Sequence, residues 1–362
     1  MDATASTLKS DYPWIQFPLI ISAAMYPMSC PSLALAVSKA GGLGFITGGL
    51  NAADLKKNLE QSAELIHQVQ PPMSFENGTL PIGVGFLLFG NKLDEVVPLV
   101  QEHKPAAVWL FAAHQIAEYA TWAKAMREAT DGKTKIWVQV GTSVDALEVA
   151  KICEPDALVV QGADAGGHGL QRSAGLMSLF PEVSDSLKAD GLGHIQLFAA
   201  GGIAEGRGTL AALALGANGV VMGTRFLAAK EALIPTGYQD AVVRVKSGAT
   251  ATVRAGLFDN LRGPNIWPKG YDGRGIVNET YVDAEAGMPL DENSRLYAEA
   301  LDGRLQQYPE SGQSATGTGR LTMWAGSGVG LVDRVMPAAE IVEHTRREVK
   351  EMVGRLGSKC LE

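Results

Sequence analysis

Short runs rich in Val, Ile, Leu and Phe alternate along this chain with longer stretches in which apolar residues recur every three or four positions. The runs lie at 18–25, 42–47, 81–88, 106–112, 135–140, 157–161, 195–200 and 219–223. They are nearly continuous in apolar character, the pattern of strands buried on both faces of a parallel sheet. Between them, segments such as 33–40, 53–70, 144–152 and 208–215 carry Ala, Leu, Glu and Lys with helical periodicity. Eight such units predict an α/β protein built on a (β/α)8 barrel. An open doubly wound sheet is the structural alternative, but it uses fewer strands.

After the eighth run the pattern changes. Residues 232–320 are rich in Gly, Pro and polar residues, as in Gly263-Pro264-Asn265, Trp267-Pro268-Lys269-Gly270 and Tyr271-Asp272-Gly273-Arg274-Gly275. Apart from a helix expected over 292–302, most of this segment reads as loop. The expected organisation is a barrel over 13–231, a smaller, partly helical cap over 232–320, and a C-terminal segment, 321–356, returning to the barrel. That last segment combines a glycine-dense stretch with an amphipathic helix over 338–356, whose Arg346-Arg347 pair reads as a solvated face.

Composition narrows the function classes. Hydrophobic residues make up 46% and charged residues 19%, which supports a large core and excludes a disordered chain. The net charge of −8, with no dense Lys/Arg cluster, argues against a nucleic-acid partner. No apolar run approaches the roughly 20 residues that span a bilayer, and Met1-Asp2-Ala3-Thr4 opens no secretory leader. Three cysteines without a Cys-x-x-Cys motif point to a reduced, cytoplasmic protein. Six scattered histidines show no metal-ligand spacing.

The chemistry concentrates at residues 161–169, Gln-Gly-Ala-Asp-Ala-Gly-Gly-His-Gly, which follow the sixth apolar run. They read as a loop carrying one imidazole, His168, past the carboxyl end of a barrel strand, where such enzymes keep their catalytic groups. Two further glycine sites follow the seventh and eighth strands: Ala200-Gly201-Gly202-Ile203 and Met222-Gly223-Thr224-Arg225-Phe226. Loops at these positions in barrels frequently bind phosphate through bare backbone N–H groups and a helix N-terminus. Otherwise such glycines serve only tight turns. Asp164 is expected to cap a turn or else to orient the loop, and Arg225 to pair with a carboxylate in the barrel wall. Cys30 reads as a small buried hydrophobe, and Trp324 either as a cover for a ligand or as an anchor for the returning helix.

Taken together, these motifs resemble the nitronate monooxygenase family, FMN-dependent barrels formerly called 2-nitropropane dioxygenases. The resemblance runs over Ala23-Ala24-Met25, Gly41-Gly42-Leu43-Gly44, Ala165-Gly166-Gly167-His168, Gly201-Gly202-Ile203, Met222-Gly223-Thr224-Arg225-Phe226 and the late Ala325–Gly330 glycines. It implies FMN across the barrel mouth. Ala23, Ala24 and Met25 would run along its ring, flanked by Gly85 and by Gln139 or Val140. Gln161, Gly166 and Gly167 would approach the ring or ribityl chain, and Gly201, Gly202, Met222, Gly223 and Thr224 would hold the phosphate. It also implies that His168 is the base for a nitroalkane oxidised with molecular oxygen, with Tyr26, Met28 and His114 on the substrate side. The usual proline of the opening turn is Ala24 here, and the loop that follows is bulkier than usual. Related reductases, acting with NAD(P)H on a quinone or an enoyl thioester, share the Ala-Gly-Gly-His segment. A specialised biosynthetic oxidoreductase and a non-catalytic flavin-binding barrel are the other readings. The oligomeric state is open, a homodimer among the options.

Overall fold

The computed structural model describes residues 3–67 and 78–360. Residues 68–70, the end of the helix expected over 53–70, lie outside them. Among the described residues there are eleven strands: β1 Ile20–Ser22, β2 Leu43–Thr47, β3 Leu80–Leu87, β4 Pro105–Phe111, β5 Lys135–Val140, β6 Ala157–Gln161, β7 Gly167–Leu170, β8 Gln196–Ala200, β9 Gly219–Met222, β10 Thr252–Ala255 and β11 Tyr271–Ile276. Eight of them close a barrel in the order β1-β2-β3-β4-β5-β6-β8-β9. All its pairs are parallel, and closure runs through Ile20↔Val220, Ile21↔Val221 and Ser22↔Met222. The chain is a TIM barrel, as its apolar runs predict.

Each barrel strand sends alternate side chains to two cores, which is why its sequence is apolar throughout. Inward residues Ile21, Phe45, Trp109, Trp137, Val159, Phe198 and Val221 fill the barrel. There Trp137 stacks on Phe198 with centroids 4.3 Å apart, and Phe45 lies 5.1 Å from Trp137. Gly83 on β3 leaves the space the Phe45 ring takes, since a Cβ there would overlap it. The floor is closed by the N-terminal helix Ala3–Asp11 and the segment after it. Leu8, Tyr12 and Ile15 join the interior cluster, and Tyr12 Oη accepts from Trp137 Nε1 at 2.9 Å. Outward residues such as Ile46, Val84, Val108, Val138, Leu158 and Val220 pack against the surrounding helices.

The eighth helix of the barrel is not the one that follows β9. Directly after β9 comes the single helical turn Thr224–Leu227, and Ala338–Cys360 takes the place beside Gly206–Ala214 and Pro31–Lys39. The cap is therefore an insertion between the eighth strand and its covering helix. The helix expected over 292–302 is present as Leu290–Leu301, and regular structure also stands where the pattern predicts loop over most of 232–320. Helices run at Thr236–Arg244, Gly248–Ala251, Leu257–Asn260, Glu279–Glu285 and Leu290–Leu301. Strands β10 and β11 pair antiparallel with each other, and β11 pairs with β7. The glycine loop after β6 is likewise corrected: its second half is a strand. Gly-His-Gly-Leu has no strand-like alternation, and what makes it extended is β11, roughly a hundred residues on (Gly273↔His168, Arg274↔Gly167).

Two expectations about arginines are also overturned. Among the described residues Arg225 pairs with no carboxylate; both its terminal nitrogens donate to the Arg334 carbonyl at 3.1 Å. Arg346 is buried, not solvated. It sits on the inner face of Ala338–Cys360 and donates to the carbonyls of Gln16, Pro18, Ala40 and Gly41. Desolvation pushes its pKa down to about 10, which leaves it charged at neutral pH. Its neighbour Arg347 is the exposed one, against His344 Nδ1. Cys30 and Cys153 are buried free thiols. Among the described residues no helix is long and apolar enough to cross a membrane, and no cluster of metal-ligating side chains is found.

Candidate active site

The carboxyl ends of the barrel strands open toward the cap. Where β1 ends, Ser29 folds the next turn back on itself: its hydroxyl accepts from Met25 N at 2.7 Å and donates to Ala23 O at 2.8 Å. Ala24 is thereby set against β3, where Gly85 has no room for a side chain, because a Cβ would overlap the Ala24 methyl. A Cβ at Gly223 would meet Met25 Sδ at 3.7 Å and Ala23 Cβ at 3.8 Å, so the ends of β1, β3 and β9 line one strip of small residues. That strip suits the flat face of a planar ligand.

Beside it lies a cradle of backbone. Gly201 and Gly202 have φ of +104° and +76°, values that side-chain-bearing residues rarely adopt, so both positions require glycine. Thr224 Oγ1 accepts from Gly326 N at 2.9 Å, and Ser327 N donates to Asp164 O at 3.0 Å. Asp164 caps no turn; its Oδ1 accepts from Ser327 Oγ at 2.6 Å. The late glycines are thus explained as close-approach positions. Gly326 lies on the backbone of 164–166, Gly328 on Gly202, and a Cβ at Gly166 would overlap Gly326 N and Ala325 C. Gly166→Ala is accordingly expected to force the two segments apart and cost about 1–3 kcal/mol. Denaturant unfolding of the flavin-free protein measures this, and an unchanged midpoint would contradict the close packing.

His168 lies on β7 with its ring held on three sides. Nε2 is 2.6 Å from Asp259 Oδ1, a carboxylate on the helix Leu257–Asn260. Trp267 stacks on the imidazole at 3.6 Å and 9°, and Trp324 lies tilted at 4.8 Å. Both side chains are mostly enclosed, His168 at 11% and Asp259 at 5% exposure. Gln161 Nε2 donates to the His168 carbonyl at 3.3 Å, tying β7 to the end of β6. From the cap, Arg254 donates to Ala165 O at 3.1 Å and Asp272 Oδ1 at 2.9 Å. Arg274, its cross-strand neighbour, donates to Ala163 O at 3.2 Å. Its pKa is lowered by burial and then by the charge of Arg254. Two cap arginines therefore clamp the segment that carries His168.

A cavity of about 100 Å3 opens beside this group. Gln139, Val140, Gln161 and His114 line it, together with Phe111, Tyr119 and Tyr271. Burial pushes the phenols of Tyr119 and Tyr271 well up, so both stay neutral. Gln139 Nε2 is buried and has no hydrogen-bond partner among the described residues. A donor left unsatisfied in a folded interior costs about 1–3 kcal/mol unless a ligand takes its proton. The site thus joins an orphan amide donor, a strip without side chains and a glycine cradle, which fits a planar, phosphorylated ligand such as FMN.

Not every expected residue joins the group. His114 lies 6.4 Å from the Phe89 ring and lines the cavity. Met28 packs instead into the apolar cluster of Leu227, Tyr238 and Val329, and Tyr26 is 45% exposed. No hydrogen bond or ring contact brings either to His168 among the described residues. Trp324 serves as a wall to His168 and bridges β11 at Gly275. The sequence reading missed Asp259, Trp267, Arg254, Arg274 and Tyr271. A tryptophan in the polar stretch 262–270 was the one visible signal; Asp259 had none.

Residues 115–348 match the model of a family described as nitronate monooxygenase. The chain is 44% identical over 350 residues to nitronate monooxygenase npaC of Metarhizium robertsii, covering 96% of this chain and 95% of that protein. It is 36% identical to a nitronate monooxygenase of Neurospora crassa, covering 98% and 95%. Among solved structures, FabK from Thermotoga maritima superposes with a TM-score of 0.72 at 26% identity, covering 98% of both chains. A nitroalkane oxidase from Streptomyces ansochromogenes superposes with a TM-score of 0.68 at 24% identity, covering 94% and 98%.

Proposed function

Because the chain belongs to the nitronate monooxygenase family and is an oxidoreductase, we propose that it oxidises alkyl nitronates, and nitroalkanes it ionises itself, with FMN and molecular oxygen. The observation that carries this is the placement of His168. One imidazole, paired to a buried carboxylate, is mounted on the strand that follows the loop 162–166, which packs against Gly201 and Gly202 of the cradle. The C–H beside a nitro group is acidic, and a neutral imidazole is a suitable base near neutral pH. His168 takes that proton, the C–H bond breaks, and its electron pair is delocalised onto the nitro oxygens as the nitronate. When bound, FMN supplies the redox step and the reaction with oxygen.

The protein's part is orientation and charge. Ala23, Ala24, Met25 and Gly85 offer the bare surface for the ring, and Gln139 and Gln161 offer amide groups toward its polar edge. Gly201, Gly202, Gly223 and Thr224 present the phosphate cradle. Trp267, Trp324, Phe111 and Tyr271 exclude water from the base.

The test is an anaerobic visible spectrum of the FMN-loaded protein. Ethylnitronate alone is expected to bleach the flavin absorbance, and air to restore it. Bleaching by NAD(P)H but not by nitronate would move the protein to the reductases. Failure of FMN to bind would remove both readings.

A further inference from the structure

Asp259 has no other visible work. It is a carboxylate at 5% exposure, and among the described residues its side-chain partner is His168 Nε2 at 2.6 Å, with no ion pair to an arginine. Its second oxygen, Oδ2, is buried with no hydrogen-bond partner among the described residues. Burying a carboxylate costs several kcal/mol unless a partner offsets it, so the imidazole is what this carboxylate is buried for. A carboxylate accepts and does not donate, so the short contact places the proton on Nε2. Nδ1 then carries the lone pair. Among the described residues no protein group hydrogen-bonds it. The ring cannot readily swap the two nitrogens, because Trp267 lies flat on one face at 3.6 Å and Trp324 closes in at 4.8 Å.

We propose that Asp259 is the positioning residue for His168: it fixes the tautomer with the proton on Nε2, leaves Nδ1 as the basic nitrogen, and stabilises the imidazolium formed when Nδ1 takes the proton. This rests on the reading of His168 as base. In the step, the substrate C–H bond breaks and an Nδ1–H bond forms. The electron pair stays with the substrate as nitronate, and Asp259 keeps its charge throughout. An oriented carboxylate behind a catalytic imidazole is a recurring arrangement, and its loss acts through the wrong tautomer rather than through misfolding.

The experiment uses the FMN-loaded enzyme and compares neutral nitroethane with pre-ionised ethylnitronate. Only the neutral form needs a base. In Asp259→Asn the ratio of kcat/KM for nitroethane to that for ethylnitronate is expected to fall about 10²-fold. Asp259→Glu is expected to recover part of the ratio. In parallel, nitrogen-15 NMR of the imidazoles, with the His168 signal assigned by its loss in His168→Asn, is expected to show Nε2 protonated in the native protein and a changed tautomer in Asp259→Asn. An unchanged ratio in both variants, or a native proton on Nδ1, overturns the proposal. If native protein oxidises neither substrate, the functional reading fails; if His168→Asn keeps the native ratio, the base reading fails and this inference with it. The NMR result decides the tautomer in either event.

Discussion

His168→Asn is expected to lower kcat/KM for neutral nitroethane by about 10²–10⁴-fold, the range a positioned general base contributes. Asparagine is close in size and can still meet Asp259, so the walls of Trp267 and Trp324 have little reason to collapse. The loss on ethylnitronate should be much smaller, because its proton is already gone. Steady-state oxygen consumption on both substrates measures this, and the visible spectrum confirms that FMN is retained. Equal losses on the two substrates would show that His168 binds or packs rather than takes a proton.

The largest expected effect on stability lies outside the mouth. Arg346→Met should destabilise the fold by about 2–4 kcal/mol, because a buried guanidinium joins four backbone carbonyls from three places, Gln16, Pro18 and Ala40-Gly41. These segments lead into β1 and β2, so the residue pins the last helix to the first two strands of the barrel. Methionine fills the volume of the aliphatic stem but leaves the carbonyls without their donors. Arg347→Met, one position on and exposed, should shift stability by no more than about 0.5 kcal/mol. Urea unfolding of the two variants side by side is the check, and equal midpoints would mean that the buried network contributes nothing.

Arg346 also shows where local pattern stops informing. In sequence it sits beside Arg347, Glu348 and Lys350, and nothing in that cluster marks one charge as buried. The helix face decides it: Ile341, Val342, Thr345 and Val349 surround it on the inner side. The same holds at β7. Gly-His-Gly-Leu is a poor strand by propensity, and the cap residues Tyr271-Asp272-Gly273-Arg274 read as a turn, yet they form a ladder together. The close-approach glycines were legible in part. Gly201, Gly202 and Gly223 could be located by their position after strands, whereas the reason for Gly326 and Gly328 is visible only against Asp164 and Gly202.

The amino-acid sequence by itself determined the barrel, the order of its strands, and the strand ends at which glycines and His168 would stand. These follow from periodicities of two and of about 3.6 residues, which each segment carries within itself. The tertiary structure alone decided what surrounds His168. Asp259 lies 91 residues away from it, and Trp267 and the two clamping arginines come from the same distant insertion. Contacts at that separation obey no local period. They form because β11 pairs with β7 and folds the cap over the mouth, and that pairing sets an imidazole from a glycine segment against a buried carboxylate.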